Sequence, residues 1–114
     1  MTPKQVKIGT QIWTIAEVKR KHSSALAAGT YGETVYKDNT IVLDVELTGS
    51  AKRVTLFHEV LHAIRFTFGG SYCPPKGTPF EDWEHYFIGL YEEPVLLVLK
   101  DNPDLLAWLL SNDA

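Results

Sequence analysis

Residues 51–68 of the chain read Ala-Lys-Arg-Val-Thr-Leu-Phe-His-Glu-Val-Leu-His-Ala-Ile-Arg-Phe-Thr-Phe. Apolar residues recur in this stretch at spacings of three and four, which is the period of a helix with one buried face. Ser50 can cap the start of such a helix, and Gly69 and Gly70 can end it because glycine readily leaves the helical conformation. The pattern therefore predicts a helix over residues 51–68. Its predicted core face consists of Val54, Phe57, Leu61, Ile64 and Phe68.

The chain before this helix carries strand signals. Residues 6–16 mix isoleucine and tryptophan with threonine, and residues 34–36 and 41–45 are rich in β-branched side chains. The Lys-Asp-Asn-Thr sequence between the last two segments is typical of a turn, so residues 34–45 are predicted to form an antiparallel hairpin. We expect three or four short strands in all. Residues 17–29 fit either a loop or a short helix.

Residues 71–79 connect the helix predicted over residues 51–68, here called the central helix, to the next predicted helix. They include three prolines and one glycine, which disfavour regular structure. Thr78 can then cap a helix whose first position suits Pro79. This helix is predicted to run toward Asp101, with a kink or break near Pro94.

A last short helix is predicted from Asn102, as its cap, and Pro103, at its first position, with leucines that pack back on the core. A chain of 114 residues with 45% hydrophobic residues is long enough for one core and too short for two. Residues 1–114 are therefore predicted to form a single α+β domain. In this domain a small, mostly antiparallel sheet packs on the helix of residues 51–68, and the C-terminal helices close the core.

Composition excludes several classes of protein. The formal net charge of -3 disfavours general binding to nucleic acid. Cys73 is the single cysteine, so an internal disulfide is impossible and a reducing compartment is favoured. No apolar run approaches the roughly 18 residues of a membrane span, and residues 1–10 lack the apolar segment of a signal peptide. We therefore expect a cytoplasmic protein with neither a membrane nor a nucleic-acid partner.

The central helix contains His58-Glu59-Val60-Leu61-His62, the H-E-x-x-H pattern. Residues four apart lie on one helical face, so both imidazoles can reach a single zinc ion (Zn²⁺) at about 2.0–2.1 Å. Glu59 flanks the open position of such a metal, where a carboxylate can take a proton from water. The competing interpretation is a pair of hydrogen-bonded histidines on a partly buried helix.

A catalytic zinc site needs a third protein ligand. On helical spacing Glu92 shares an otherwise apolar stripe with Ile88, Val95 and Leu99, so it is predicted to face the core, where a carboxylate needs a partner such as a metal. We prefer Glu92, whose alternative role is a carboxylate beside Pro94. The remaining candidates are Glu93 and His85, followed by Glu81, Asp82 and Glu84.

A developing oxyanion would need a hydrogen-bond donor opposite the metal. The sequence offers several side chains of this type, each of which is also common as a packed aromatic at the core or rim. The candidates are Tyr72, Tyr86, Tyr91 and His85.

The segment Val-Thr-Leu-Phe-His-Glu-Val-Leu-His-Ala-Ile at residues 54–64 resembles the active-site helix of small zincin-like metallopeptidases of phages and mobile elements, which are distant relatives of the ImmA/IrrE metallopeptidases. Residues 41–43, Ile-Val-Leu, are similar to the Ile-x-Leu strand of that group. Residues 99–103, Leu-Lys-Asp-Asn-Pro, are similar to its Leu-x-Asp-Asn-Pro helix end. The resemblance covers roughly residues 31–110 and implies a minimal zincin-like fold with an acidic ligand on the later helix, which Glu92 fits best.

These patterns together predict a zinc metallopeptidase that hydrolyses peptide bonds. His58, His62 and Glu92 are its predicted zinc ligands, and Glu59 is its predicted general base. The substrate is a peptide or protein that adds to the sheet edge beside the site, in the host cytoplasm if the gene is carried by a phage. The alternative is a non-catalytic zinc-fold protein that binds a phage or host regulatory protein.

Overall fold

A computed structural model of the chain describes residues 1–69 and 73–112. The fold is α+β, as the sequence predicts, and its sheet is mostly antiparallel. Within the described ranges the strands and α-helices are, in chain order, β1 (Gln5–Ile8), β2 (Gln11–Val18), α1 (Ser24–Ala27), β3 (Gly32–Val35), β4 (Thr40–Asp44), α2 (Gly49–Gly69), α3 (Phe80–Asp101) and α4 (Pro103–Leu109).

The sheet has the strand order β1-β2-β4-β3. β1 and β2 form one antiparallel hairpin, and β3 and β4 form the hairpin that the sequence predicts at residues 34–45. The two hairpins meet through β2 and β4, which pair in parallel with Ile15 opposite Ile41. Asn39 closes the second hairpin with a φ of 48°, a left-handed conformation that asparagine tolerates better than most residues. This order leaves β3 at one edge of the sheet.

One face of the sheet forms the floor of the core. Alternate residues along each strand point to this face, as the pleat of a strand requires. Helix α2 packs on the same face, and residues from α3 and α4 complete the cluster. Its buried members are Val6, Ile8, Trp13, Ile15, Ile41, Leu43, Leu56, Val60, Ala63, Ile64, Val98 and Leu105.

Helix α2 has nearly the predicted length, but only part of its predicted core face is buried. Ile64 lies in the core and Leu61 packs against it, as predicted. Val54 is 69% exposed and Phe68 is 42% exposed, whereas Leu56, Val60 and Ala63 are buried. The difference arises because α2 is packed on two sides, by the sheet and by α3. Two-sided packing spreads apolar residues around the helix, so no single stripe of the sequence identifies the core face.

The sequence predicts a kink or a break near Pro94, and the structure shows no break, because α3 continues through this residue. Proline removes one backbone hydrogen bond from a helix, a cost that packing can offset. Val98 of α3 is buried in the core, and Tyr91 and Val95 pack against it. None of the helices in the described part of the chain has the length and apolar character needed to cross a membrane.

The side chains predicted to cap helices are used differently in the structure. Ser50 lies inside α2, which begins one residue earlier. The Thr78 hydroxyl donates to the carbonyl of Pro75 at 2.5 Å, within the loop, and so does not cap α3. Asn102 occupies the cap position of α4, yet its side chain makes no capping hydrogen bond.

Asn102 instead ties the α3–α4 junction to the sheet. Its Oδ1 accepts a hydrogen bond from the backbone N–H of Lys7 at 2.8 Å, and its Nδ2 donates to the Lys7 carbonyl at 2.7 Å. The same Nδ2 lies 2.7 Å from the carbonyl of Val98. The side-chain amide thus pairs with the outer edge of β1 as a neighbouring strand would, and it fixes α3 relative to the sheet.

Arg20 organises the segment that leads into β3. Its guanidinium binds the Asp44 carboxylate at 2.7 Å and donates to the carbonyls of Leu26 and Thr30. The backbone N–H of Glu46 and the guanidinium of Arg20 hold the pKa of Asp44 below its ordinary value, although burial opposes them. Arg20 therefore links Asp44, at the end of β4, to the backbone at Leu26 and Thr30.

Asp44→Asn should lower the free energy of unfolding at pH 7, because asparagine keeps the size of the side chain but loses the ion pair. A carboxyl whose folded pKa is depressed stabilises the protein fully above its unfolded pKa of about 3.9 and loses that contribution as the pH falls through the folded pKa. Urea unfolding of both proteins should thus show a difference at pH 7 that shrinks below about pH 4. A difference that does not vary with pH would contradict a role for the charge.

Candidate functional site

The two histidines of the H-E-x-x-H pattern converge on one face of α2. Their Nε2 atoms lie 3.2 Å apart, and their ring centroids lie 4.9 Å apart. Both residues are exposed, with 64% of the His58 side chain accessible. The helical spacing of four residues brings the rings together, as the sequence predicts.

The separation of the two nitrogens fits a shared metal ion. Two nitrogens that each lie about 2.0–2.1 Å from one tetrahedral zinc are about 3.3 Å apart. The 3.2 Å between Nε2 of His58 and Nε2 of His62 is close to this value. It also fits a hydrogen bond between the two imidazoles when one Nε2 carries the proton. The donor set therefore suits zinc, and the competing interpretation is a hydrogen-bonded pair.

Glu59 is buried beside these exposed histidines. Its exposed fraction is only 7%. Oε1 accepts a hydrogen bond from the Thr34 hydroxyl at 2.8 Å, and Oε2 lies 4.0 Å from Nε2 of His58. One carboxylate oxygen is thus held by β3, while the other faces the imidazole. The Glu59 carboxylate is thus held in place next to the imidazole of His58, where it can accept a proton.

Thr34 also links the edge strand to the helix backbone, since its hydroxyl lies 3.1 Å from the Glu59 carbonyl. Gly32 makes this close approach possible. A Cβ at Gly32 would lie 3.0 Å from Cγ2 of Thr55, 3.1 Å from Cγ of Glu59 and 3.2 Å from the carbonyl oxygen of Val42. Contacts this short require the neighbours to move, so a larger residue at position 32 would push β3 away from α2.

A cleft of about 280 Å³ opens between the start of β3 and helix α2. Thr30, Tyr31 and Gly32 form one wall, and Val54, Thr55, His58 and Glu59 form the other. The Tyr31 ring is 59% exposed and lies 6.0 Å from the guanidinium carbon of Arg20. The sheet edge therefore lines the candidate site, as the sequence analysis expects for an extended peptide.

The structure turns Glu92 away from the core, so its predicted core-facing placement is wrong. Glu92 is exposed, and Ile88 of the same predicted stripe is 52% exposed. The residues of α3 that pack on the core are Val98, which is buried, and Tyr91 and Val95, which are partly buried. Of these, Val95 belongs to the predicted stripe, and Tyr91 takes the place expected for Glu92. Packing an aromatic side chain in place of a carboxylate is more favourable.

The other candidate ligands are also exposed, namely His85, Glu93, Glu81, Asp82 and Glu84. Glu93 lines a separate cavity of about 410 Å³ together with Phe68 and Lys100. Within residues 1–69 and 73–112, no group of three or more His, Cys, Asp or Glu side chains is arranged to hold a metal ion. The structure thus brings His58, Glu59 and His62 together but brings none of the proposed third ligands to them.

The aromatic candidates for an oxyanion donor lie on α3 or outside the described residues. Tyr91 stacks on Phe87 and packs against the core, and burial raises the pKa of its phenol. The Tyr86 ring packs edge-to-face on Phe87, with centroids 5.1 Å apart. Tyr72 falls outside the described ranges. Tyr86 and Tyr91 therefore pack with Phe87 in a row of aromatic rings along α3.

Sequence analysis missed two residues of the site. Thr34 is one of several β-branched residues in a predicted strand, and nothing local to it indicates a bond to residue 59. Gly32 precedes the predicted start of that strand, where a glycine is ordinarily interpreted as turn chemistry. Both functions depend on contacts between distant parts of the chain.

No family model, no curated protein and no solved structure matches the chain. The family resemblance therefore stays an expectation from the sequence.

Thr34→Val should lower the free energy of unfolding by about 1–3 kcal/mol, because it removes a hydrogen bond to a buried carboxylate. Thr34→Ser should restore most of this loss, since serine keeps the hydroxyl. Thr40→Val on the neighbouring strand removes only an exposed hydroxyl bond to Asp38 and should change the value by about 0.5 kcal/mol or less. Equal effects of the Thr34 and Thr40 valine variants in chemical denaturation would contradict the assigned role of Thr34.

Proposed function

We propose that the protein is a zinc-dependent peptidase in which His58 and His62 bind the metal and Glu59 is the general base. The observation that carries this proposal is the 3.2 Å between the two Nε2 atoms, with the Glu59 carboxylate held 4.0 Å from one of them. A structural zinc site has no need of a buried, positioned carboxylate that is not a ligand. The arrangement therefore supports a catalytic use of the site over a structural one.

The packing of α3 supports Glu92 as the third ligand, even though its side chain is exposed. Leu99 lines a groove with Val54 and Phe57 near the start of α2, and Leu90 lies against Gly69 at its end. The two helices thus run in opposite directions. Interpolating between these contacts places Glu92 at about the level of Phe66, roughly one helical turn from His62, a distance that a change of the Glu92 rotamer would have to span.

Glu92 is also free of the packed stripe of α3, so its long side chain can change rotamer without disturbing the core. Glu93 is turned toward the cavity that contains Phe68 and Lys100. His85 lies about two turns further from the histidines along α3 than Glu92 does. These positions favour Glu92 over both alternatives.

The edge strand supplies a place for the substrate backbone. In the described part of the chain β3 pairs only with β4, so its outer edge is open to a further strand. An extended peptide that adds to this edge is held by backbone hydrogen bonds next to α2. Its peptide bond would then lie in the cleft between Gly32 and His58.

When bound, zinc supplies Lewis acidity that lowers the pKa of water and polarises a peptide carbonyl. The Thr34 hydroxyl fixes one oxygen of Glu59 and leaves the other oxygen to accept the proton of the attacking water. Glu59 then returns this proton to the amine that leaves when the peptide bond breaks.

We also infer that the protein works in the cytoplasm. The exposed free thiol of Cys73 agrees with this location, because a reducing compartment keeps thiols reduced.

Purified protein should bind about one zinc ion per chain, as measured by equilibrium dialysis and elemental analysis. His62→Ala should abolish this binding, because it removes one of two converging donors. Glu92→Ala should weaken zinc affinity by about 10- to 100-fold or more, whereas the neighbouring Glu93→Ala and the more distant His85→Ala should leave it nearly unchanged. A selective loss in one of these two controls would move the ligand to that residue. Full binding by His62→Ala would mean that the histidines are only a hydrogen-bonded pair.

Glu59→Gln should retain zinc and lose nearly all peptide cleavage. The amide keeps the size of the side chain and can still accept the Thr34 hydrogen bond, but it cannot take a proton, and a positioned base contributes about 10²- to 10⁴-fold in rate. The measurement is kcat/KM on a diverse peptide library, with zinc content and unfolding free energy as controls. If the zinc-loaded wild type cleaves no peptide, the non-catalytic binding protein is the better interpretation.

A further inference from the structure

A strongly apolar groove of about 350 Å³ lies next to the candidate site, between α2, α3 and α4. Within the described part of the chain, six of its eight lining residues are apolar, and Ser50 and Arg53 complete it. The apolar residues are Val54, Phe57, Leu99, Leu106, Leu109 and Leu110.

The walls of this groove are unusually accessible for apolar side chains. Val54 is 69% exposed, Leu110 is 76% exposed and Leu106 is 36% exposed. A single exposed leucine is ordinary, but a concave cluster of apolar side chains open to water marks a place where an apolar group binds. Among residues 1–69 and 73–112, no side chain fills this groove.

Val54 connects the groove to the candidate site, because it belongs to the walls of both the groove and the cleft. Val54 precedes His58 by four residues, which is about one helical turn or 5.4 Å along α2. Successive residues of an extended peptide are about 3.3 Å apart. A peptide whose scissile bond lies at His58 therefore brings a side chain one or two residues away to the mouth of the groove.

We propose that this groove is a specificity subsite that takes a bulky apolar side chain, such as leucine or phenylalanine, of the peptide in the cleft. This inference rests on the proposed peptidase function and adds the class of substrate to it. The substrate is favoured as the occupant because Val54 lines both the groove and the cleft at the start of β3. A pocket with this lining discriminates by apolar area, so a substrate with alanine at the same position binds less well.

The first test compares cleavage of matched peptides that differ only by leucine, phenylalanine or alanine at one position. The zinc-loaded wild type should prefer the large side chains by at least about tenfold in kcat/KM at one position. Leu110→Lys should remove most of this preference, because it places a charge in the apolar lining of the groove. Val54→Lys should also weaken the preference. Leu96→Lys is the matched control, since Leu96 is 68% exposed but lines the separate cavity with Phe68 and Lys100.

The second test does not depend on turnover. Methyl NMR of zinc-loaded Glu59→Gln should show shifts at Val54, Leu99 and Leu106 when the leucine peptide is added, and much smaller shifts with the alanine peptide. Cleavage without any size preference, or a preference that survives Leu110→Lys, would overturn the subsite and leave the peptidase intact. Absence of cleavage together with these methyl shifts would overturn the peptidase and support the groove as a peptide-binding pocket.

The groove could instead be covered by a second copy of the chain, and sedimentation experiments test this. If Leu110→Lys changes the oligomeric state in sedimentation experiments and leaves the peptide preference unchanged, the groove is an interface between copies of the chain. That result would also overturn the subsite.

Discussion

Helix α2 is packed on two sides at once, and this constraint decides which of its side chains meet water and which meet the sheet. Leu56 and Val60 face the sheet, so rotation of the helix about its axis is fixed by the core. The same rotation turns His58 into solvent and Glu59 beneath the edge strand. The site is therefore a consequence of core packing, because neighbouring residues on a helix are about 100° apart and cannot be reoriented independently.

Much of the fold could be predicted from local patterns. The long helix, the hairpin at residues 34–45 and the last two helices all follow from hydrophobic period, turn chemistry and proline placement. The parallel pairing of β2 with β4 could not be predicted, since it joins two hairpins through residues far apart in sequence. The hydrogen bonds of the cap residues could not be predicted either. Asn102 occupies its predicted cap position, but its side chain bonds the backbone of the distant Lys7 instead.

The candidate site, like the fold, could be predicted only in part from local patterns. The helical period alone predicts that His58 and His62 converge, and their 3.2 Å separation agrees with that prediction. Thr34 and Gly32 could not be found by pattern, because their role depends on where β3 crosses α2. Glu92 was expected in the core because an apolar stripe on a helix is ambiguous by one residue, and the stripe beginning at Tyr91 packs instead. The proposal that Glu92 is a ligand rests on the antiparallel packing of α2 and α3 and on the freedom of its exposed side chain to change rotamer.

X-ray absorption spectroscopy at the zinc edge tests the central claim most directly, because it reports the ligands of the metal in solution. We expect nitrogen or oxygen ligands at about 2.0–2.2 Å with the multiple scattering of two imidazoles, and no sulfur shell near about 2.3 Å. Loss of the imidazole scattering in His58→Ala would connect the signal to this site. A zinc spectrum without two imidazoles, or one dominated by the sulfur of Cys73, would contradict the proposed metal centre.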